Sequence, residues 1–289
     1  MSLEVADFGD SDLLESPEFW DEVYRRDRVA FAIGTGLDPD PWQKAFLRSK
    51  ALRISLNCCR QSGKSSIAAT LAVHTALYRD RSLVLLLSPG LRQSGELFRK
   101  CLSIYRAAGR PVLPESETKL TLDLANGSRI VSLPGSEETV RGYSGVALLV
   151  VDEAARVQDD FYFAVRPMLA VSGGRLITLS TPFGKRGWWH EAWVNGGPSW
   201  ERIEVKASEC PRISAEFLAE ERKAMPPWFY SGEYECQFTE TDSSVFGYDL
   251  VMGLLSADVE PLFQQGEAGP LSGTLSEDVE RLMGTGFGG

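Results

Sequence analysis

The stretch LRISLNCCRQSGKSS, residues 52–66, combines an apolar segment, a short loop and the beginning of a segment with helical character. At such a strand-to-helix turn, backbone N–H groups and the positive end of the helix dipole can bind a phosphate group. The loop ends in Gly63-Lys64-Ser65, as the pattern G-x-x-x-x-G-K-S/T does, but Cys58 replaces the first glycine of that pattern. The loop is therefore either a nucleotide site with an altered front half or a solvated turn.

A second motif, LLVVDEAA at residues 148–155, is an apolar strand that ends in two consecutive carboxylates. In a nucleotide site Lys64 reaches the terminal phosphates, and Ser65 and Asp152 hold Mg²⁺. Glu153 can orient and deprotonate an attacking water. Asp152 could instead cap a helix. Taken together, the two motifs favour a P-loop ATPase that hydrolyses its nucleotide.

A third motif, TLSTPFGKRGWW at residues 178–189, again follows an apolar strand. Ser180 and Thr181 stand where the strand ends, and their hydroxyls could sense the γ-phosphate. Considered alone, the motif is better explained as a simple exit from a strand, closed by Pro182.

Apolar segments that predict strands alternate with segments that predict helices, which favours an α/β fold with a mostly parallel sheet and helices on both faces. Asn126-Gly127 predicts a hairpin with a type I′ turn. The predicted strands are residues 52–57, 83–88, 120–124, 130–133, 146–151, 175–179 and 203–205, and the predicted helices are residues 42–52, 64–78, 91–108, 214–225 and 228–236. The predicted domains are an N-terminal arm (1–40), an ATPase core (41–206), a lid or linker subdomain (207–243) and an acidic tail or start of a further linker (244–289).

The composition restricts the class of protein. Five cysteines without C-x-x-C spacing and only two histidines disfavour a zinc site or a disulfide framework. The apolar runs are too short to cross a bilayer, and the acidic N-terminus differs from a signal peptide, so we expect a cytoplasmic protein without a membrane partner. With a net charge of −10, any contact with DNA requires a local basic patch.

Four segments together resemble the ATPase half of a bacteriophage terminase large subunit: RQSGKS at 60–65, VRGYSG at 140–145, LLVVDEAARV at 148–157 and LSTPFGKRG at 179–187. The resemblance runs from Pro41 to Phe238. It implies an ASCE/RecA-like P-loop NTPase fold with a small C-terminal helical lid subdomain. It also implies ATP and Mg²⁺ as cofactors. The nucleotide contacts that it implies are Gln43, Arg60, Gln61, Ser62, Gly63, Lys64, Ser65 and Ser66.

Within this resemblance three side chains receive further roles. Gln43 is similar to the helicase-like glutamine that reads adenine, and Ser180 with Thr181 resembles the motif that couples hydrolysis to movement. Arg141 is similar to an arginine finger that completes a neighbouring subunit's site, and this interpretation is favoured over a surface pair with Glu137 or Glu138. Arg60, acting within its own subunit, is the alternative catalytic cation.

The function implied by the resemblance is ATP-driven translocation of double-stranded DNA into a procapsid. The implied partners are DNA, the portal protein, the small terminase subunit and further copies in a ring, expected to be a pentamer. The implied location is the host cytoplasm and, transiently, the portal. A helicase-like remodelling ATPase and a nucleotide-binding scaffold without turnover are the alternatives. The candidate DNA contacts are Arg92, Arg99, Lys100, Arg106 and Arg110.

Terminase large subunits usually carry a second, nuclease domain. The segment after Phe238 lacks the strands that would present a metal-binding acidic cluster. We therefore expect no nuclease activity from this sequence.

Overall fold

The computed structural model describes residues 16–134 and 142–240, which belong to one contact-defined unit, Met1–Ser244. These residues form one eight-stranded sheet with the strand order β3-β4-β5-β2-β6-β7-β1-β8. The strands are β1 (Arg53–Cys58), β2 (Leu83–Ser88), β3 (Pro114–Glu117), β4 (Thr121–Leu124), β5 (Arg129–Pro134), β6 (Val146–Asp152), β7 (Arg175–Ser180) and β8 (Glu201–Val205).

The predicted mostly parallel sheet is confirmed. Strand β1 runs parallel to β7 and β8, β2 runs parallel to β5 and β6, and β6 runs parallel to β7. Among the described strands, the antiparallel pairs are β3 with β4 and β4 with β5, at one edge of the sheet. Every residue of β6 is buried, which explains its uninterrupted apolar sequence, because a central parallel strand is covered on both faces.

Helices cover both faces of this sheet. They are α1 (Pro17–Arg26), α2 (Arg28–Gly34), α3 (Pro41–Arg48), α4 (Lys64–Tyr78), α5 (Leu91–Ala107), α6 (Asp159–Val165), α7 (Gly187–Asn195), α8 (Ala215–Ala224) and α9 (Pro227–Glu233). Short 3₁₀ helices span Ala154–Arg156, Arg166–Leu169 and Ala207–Glu209. The two faces have separate cores: Leu86 packs with Phe98 of α5, whereas the next residue, Leu87, packs with Trp188 of α7. This alternation follows from the two-residue period of a strand.

The N-terminal arm predicted over residues 1–40 is not without structure where it is described. It contains α1 and α2, capped by the side chains of Ser16 and Asp27. Phe31 of α2 is fully buried and packs edge-to-face on His74, with ring centroids 5.4 Å apart. The sequence did not predict these two short helices, because they are stabilised by contacts with α4, which local sequence does not reveal.

The predicted type I′ turn is also wrong. Gly127 has φ +77°, but Asn126 does not have a positive φ, as a type I′ turn requires at both central residues. The Asn126 amide instead donates to the carbonyl of Ala76 at the end of α4, 2.9 Å away. This tertiary hydrogen bond sets the turn. Helices α6 and α7 and strand β3 were not predicted either.

Candidate active site

The loop between β1 and α4 has the backbone that a phosphate cradle needs. Gln61 and Gly63 both have positive φ, +61° and +87°. A Cβ on Gly63 would lie 2.8 Å from Nε2 of Gln43. Because the Gln43 side chain is buried and bonded on its other side, it cannot yield easily. The glycine is therefore required by both conformation and space.

The front half of the loop is anchored by backbone hydrogen bonds to distant segments. The Cys59 N–H donates to the Val205 carbonyl at 2.9 Å, and the Arg60 N–H donates to the Glu233 carbonyl at 3.0 Å. Cys58 is still part of β1, aligned with Val205 of β8, and its side chain is fully buried. Residue 58 thus lies in the sheet, where a side chain fills core space.

The two sequence motifs meet at the carboxyl ends of β1 and β6. Ser65 Oγ lies 3.3 and 3.4 Å from the two carboxylate oxygens of Asp152. Lys64 Nζ lies 3.8 Å from Oε1 of Glu153, and the lysine side chain is buried. The structure therefore brings together the four residues predicted to bind phosphate and Mg²⁺ and to activate water. Ser66 follows in the first turn of α4, where its N–H donates to Gly63 O at 3.1 Å.

The electrostatics of this cluster are dominated by Asp152. Burial and the neighbouring Glu153 raise the pKa of Asp152 to about 6, whereas the nearby Lys64 and Lys100 lower it. A buried carboxylate of this kind is stabilised in its charged form by a cation beside it.

Glu153 has a left-handed backbone, with φ +51° and ψ +44°. This conformation is strained for a residue with a side chain, by about 1 kcal/mol or more, and such strain is concentrated at functional sites. The turn directs the chain from β6 into the 3₁₀ helix Ala154–Arg156. The Glu153 side chain remains partly exposed, so water can reach it.

The third motif lies at the same edge of the sheet. Asp152 is aligned with Leu179 of β7, and Ser180 is aligned with Asn57 of β1. Ser180 and Thr181 are buried, and the Ser180 hydroxyl donates to the Thr181 carbonyl at 2.8 Å. Ser180 therefore lies one residue beyond the Asp152 row, and Thr181 directly follows the end of β7. Their sensor role stays a prediction.

Gln43 is brought to the loop, as the sequence predicted for a nucleotide contact. Its Oε1 accepts a hydrogen bond from the Asp40 N–H at 2.9 Å, and its Nε2 lies 3.5 Å from the Ser62 carbonyl. The amide therefore connects the beginning of α3 to the loop. The structure does not test its reading of adenine.

Arg212 is a site residue that the sequence analysis missed. Its guanidinium donates to both carboxylate oxygens of Asp40, at 2.9 and 2.7 Å, and to the Ser62 carbonyl at 3.0 Å. The Asp40 side chain is only 9% exposed, whereas that of Arg212 is 48% exposed. Hydrogen bonding to Asp40 raises the pKa of Arg212 further. Residues 201–240, from β8 onward, are called the C-terminal segment. One side chain of this segment, Arg212, thus holds both Asp40 at the beginning of α3 and the phosphate loop.

A cavity of about 300 Å³ opens between the loop and the C-terminal segment. Arg60, Gln61 and Arg212 line its polar side, and Phe217 and Tyr234 contribute aromatic rings. The C-terminal side is held to β1, because Asn57 Nδ2 donates to the Cys236 carbonyl at 2.8 Å. It is also bonded internally, because the Ala207 N–H donates to the Tyr234 carbonyl at 2.8 Å.

Of the two candidate catalytic arginines, Arg60 lies within the described residues and Arg141 does not. The Arg60 side chain is 66% exposed, with Nη1 3.5 Å from Oε2 of Glu233. Arg60 is the exposed partner of this pair, whereas the Glu233 side chain is only 12% exposed. Arg141 lies outside the described residues, and its role stays a prediction.

A family model described as "Terminase large subunit, T4likevirus-type, N-terminal" matches residues 56–251 of the chain. The chain belongs to this family. The resemblance noted in the sequence is confirmed, and the matched region contains both carboxylates of the site and the whole loop. Gln43 lies before the matched region.

Known terminase large subunits agree with this assignment. That of Thermus virus P23-45 is 28% identical over 255 residues, covering 75% of this chain and 52% of the relative. The terminase of Escherichia phage T5 is 26% identical over 197 residues, covering 65% of this chain and 44% of the relative. The chain spans about half the length of the curated relatives it matches.

The solved large terminase ATPase domain of Thermus phage P74-26 shares the fold. It superposes with a TM-score of 0.64 at 22% identity, covering 78% of this chain and 98% of that chain. The α/β fold predicted from the sequence is therefore confirmed as that of large terminase ATPase domains. The large terminase of a thermophilic bacteriophage, solved in complex with ADP, gives a TM-score of 0.55 at 12% identity over 74% of this chain and 53% of that chain.

Proposed function

We propose that this chain is a Mg²⁺-dependent ATPase that drives translocation of double-stranded DNA into a viral procapsid. The observation that carries the ATPase proposal is the convergence of Lys64, Ser65, Asp152 and Glu153 at the carboxyl edge of the sheet. Membership of the terminase large subunit family and the ADP complex of the thermophilic bacteriophage terminase support it.

The phosphates are proposed to bind at the N-terminus of α4. Backbone N–H groups of the loop and the helix dipole attract the anion there, and Lys64 adds a positive charge in a buried setting. Buried Lys64 interacts with a phosphate more strongly than an exposed lysine would, because water screens the charge less. Glu153, 3.8 Å away, keeps the lysine oriented when no nucleotide is bound.

The donor atoms fit a magnesium ion. Ser65 supplies a hydroxyl and Asp152 a buried carboxylate, 3.3 Å apart, and both are the hard oxygen donors that Mg²⁺ prefers. Ser65 and Asp152 would hold the ion directly or through its waters. When bound, Mg²⁺ would neutralise charge on the phosphate oxygens.

Glu153 is the proposed general base. It follows Asp152 directly, and its strained backbone separates its carboxylate from the metal ligand while keeping both at the edge of the sheet. Its carboxylate would orient the attacking water and accept its proton. Ser180 and Thr181 are proposed to respond to the state of the γ-phosphate and to transmit it along β7.

The nucleoside end of ATP is proposed to occupy the cavity beside the loop. The rings of Phe217 and Tyr234 offer apolar surface to the base, and Arg212 and Arg60 offer donors to ribose and phosphate. Gln43 lies beside the loop and is proposed to contribute to adenine recognition. Arg141 of a neighbouring copy, or Arg60 of the same chain, is proposed to stabilise charge on the γ-phosphate.

The proposed partners are duplex DNA, the portal protein, the small terminase subunit and further copies in a pentameric ring, in the host cytoplasm and at the portal. Among the candidate DNA contacts, Arg99 and Arg106 form ion pairs with Glu96 and Glu117. Arg92, Lys100 and Arg110 have no carboxylate partner among the described residues. These three are the better candidates for DNA phosphates.

The substitution Glu153→Gln tests the ATPase proposal. It removes the base but keeps size and hydrogen bonding, so we expect the turnover number for ATP to fall by about 10²- to 10⁴-fold, with nucleotide affinity retained. Glu115→Gln, an exposed change on β3, is the matched control. Unchanged turnover in Glu153→Gln would show that the assignment is wrong.

Absence of nuclease activity is likewise a proposal for this chain. Incubation with supercoiled plasmid and Mg²⁺ or Mn²⁺ tests it, and cleavage that copurifies with the protein would contradict it.

A further inference from the structure

A second charged pocket lies at the amino ends of the central strands, whereas the candidate ATPase site lies at their carboxyl ends. It is a cavity of about 220 Å³ beside Ala147 and Leu148, at the amino end of β6. Four arginines from four different segments line it: Arg25 of α1, Arg28 of α2, Arg79 after α4 and Arg175 of β7. We call it the arginine pocket. Nothing in the proposed ATPase mechanism uses it.

Three of these four cations have no carboxylate partner among the described residues. Arg25 is paired with Asp21 and Glu22, at 3.4 and 3.5 Å. For Arg28, Arg79 and Arg175, no carboxylate lies within 4.0 Å anywhere in residues 16–134 or 142–240. In a chain of net charge −10, three such arginines around one cavity are unexpected.

Two of the arginines are held in place by backbone carbonyls. Arg28 Nη1 donates to Leu47 O at 3.0 Å, and Arg175 donates to Ala51 O at 3.0 Å and Ser49 O at 3.2 Å. These bonds satisfy carbonyls at the end of α3, so the side chains are ordered without being neutralised. Arg28 Nε and Nη2 and Arg175 Nη1 make no hydrogen bond within the part of the chain that the structure describes.

Nearby carboxylates are engaged elsewhere. Asp21 also accepts from the Tyr78 hydroxyl at 3.0 Å, Asp27 caps α2 through the Val29 N–H at 2.8 Å, and Glu201 accepts from Ser49 Oγ at 2.6 Å. His74, which also lines the pocket, has Nε2 2.9 Å from Tyr24 O. Burial lowers the pKa of His74 to about 4, so the ring is neutral near pH 7.

The uncompensated charge has an energetic cost. Burial and the proximity of Arg28 lower the pKa of Arg175 to about 10, although nearby Glu201 acts in the opposite direction, and burial lowers the pKa of Arg28. Each guanidinium therefore raises the free energy of the other. An anion between them would remove this repulsion and satisfy the remaining N–H donors.

We propose that the arginine pocket binds a phosphate group. Guanidinium forks match the oxygens of phosphate, and convergence of donors from several sides suits a tetrahedral anion. The cavity has about seven times the roughly 30 Å³ that a water occupies in the liquid, so a five-atom phosphate group fits. The phosphate belongs either to a free anion or to the backbone of a nucleic acid.

The test is titration of inorganic phosphate by calorimetry at constant ionic strength. The P-loop also attracts phosphate, so the titration is made in the Lys64→Ala variant, which removes the cation of that loop and leaves the arginine pocket intact. We expect saturable binding to persist in Lys64→Ala. This result does not depend on whether the chain hydrolyses ATP, so the two proposals fail separately.

Arg79→Ala and Arg186→Ala, each added to Lys64→Ala, are the paired variants. Arg79 and Arg186 are both exposed arginines without a carboxylate partner in the described ranges, but Arg186 lies outside the arginine pocket, directly before α7. We expect Arg79→Ala to weaken phosphate binding by roughly tenfold, which is about 1.4 kcal/mol, and Arg186→Ala to leave it unchanged. Arg25→Ala serves as a second pocket variant if Arg79→Ala folds poorly.

A short DNA duplex added to the phosphate complex identifies the source of the phosphate. Displacement of phosphate by the duplex indicates a nucleic-acid backbone, and no displacement indicates a free anion; both outcomes support the site. The proposal is overturned if Lys64→Ala shows no saturable phosphate binding, or if Arg79→Ala and Arg186→Ala bind phosphate equally.

Discussion

Arg212→Ala should separate the role of the C-terminal segment from that of the phosphate loop itself. The substitution removes both hydrogen bonds to the Asp40 carboxylate, at 2.9 and 2.7 Å, and the bond to the Ser62 carbonyl. Asp40 would then be a carboxylate with 9% exposure and no cation. We therefore expect the protein to lose stability and the loop to lose its fixed position.

The magnitude follows from burial. Removing one partner of a fully buried ion pair costs about 3–5 kcal/mol. The Arg212 side chain is 48% exposed, so water can enter the space it leaves and solvate Asp40 in part. Allowing for that screening, we expect a loss of roughly 1.5–2.5 kcal/mol in the free energy of unfolding. Arg212→Lys keeps the charge without the fork and should lose an intermediate amount.

Two assays measure the effect of Arg212→Ala. Urea unfolding gives the change in stability. Steady-state kinetics should show that KM for ATP rises by a larger factor than kcat falls. The reason is that Arg212 orients the loop and lines the cavity proposed for the nucleoside, away from the reacting atoms. Arg222→Ala is the control, since its pair with Glu235 is exposed and should be worth less than about 0.5 kcal/mol. The reasoning is refuted if Arg212→Ala is no more destabilising than Arg222→Ala and leaves KM unchanged.

Two further predictions follow from the surroundings of α4. Gly63→Ala places a Cβ within 2.8 Å of the buried Gln43 amide, on a residue whose φ is +87°. We therefore expect the free energy of unfolding to fall by about 1–3 kcal/mol and ATP binding to weaken in a fluorescence titration. Wild-type affinity for ATP would contradict this prediction. Burial lowers the pKa of His74 to about 4 from an ordinary 6.5, so its neutral form stabilises the fold above pH 6.5 and that stability is lost as the pH falls towards 4. Between pH 7 and pH 5, the free energy of unfolding measured in urea should fall by about 2 kcal/mol more in the wild type than in His74→Gln. Parallel pH profiles of the two proteins would show that His74 is not the group responsible.

The sequence was most informative where structure is local. Helix α4 spans Lys64–Tyr78, as predicted, because alanine and leucine favour a helix and the loop before it fixes its beginning. Strand β6 was recognised from its apolar run and the two carboxylates at its end. Since the carboxyl ends of parallel strands share one edge of a sheet, these two segments were enough to predict the meeting of Lys64, Ser65, Asp152 and Glu153.

Long-range contacts were beyond the reach of the same reasoning. Arg212 meets Asp40 across 172 positions, and no local pattern distinguishes it from other surface arginines. Helices α1 and α2 depend on packing of Phe31 against His74, again between distant segments. A plausible signal for Arg212 was its position shortly after β8, a strand that ends beside the loop.

The departure of Cys58 from the general phosphate-loop pattern has a structural explanation. A glycine at the front of such a loop allows the backbone to turn early or to approach the phosphate closely. In this loop residue 58 is still part of β1, and the turn begins later, at Gln61, whose φ is +61°. The anchors of the loop front are the hydrogen bonds of Cys59 to Val205 and of Arg60 to Glu233, which hold the backbone without help from a flexible residue. Because those acceptors belong to β8 and α9, a movement of the C-terminal segment would pull directly on the loop. The altered loop therefore gives the C-terminal segment a direct mechanical connection to the phosphate site, and Arg212 provides a second one from the same side.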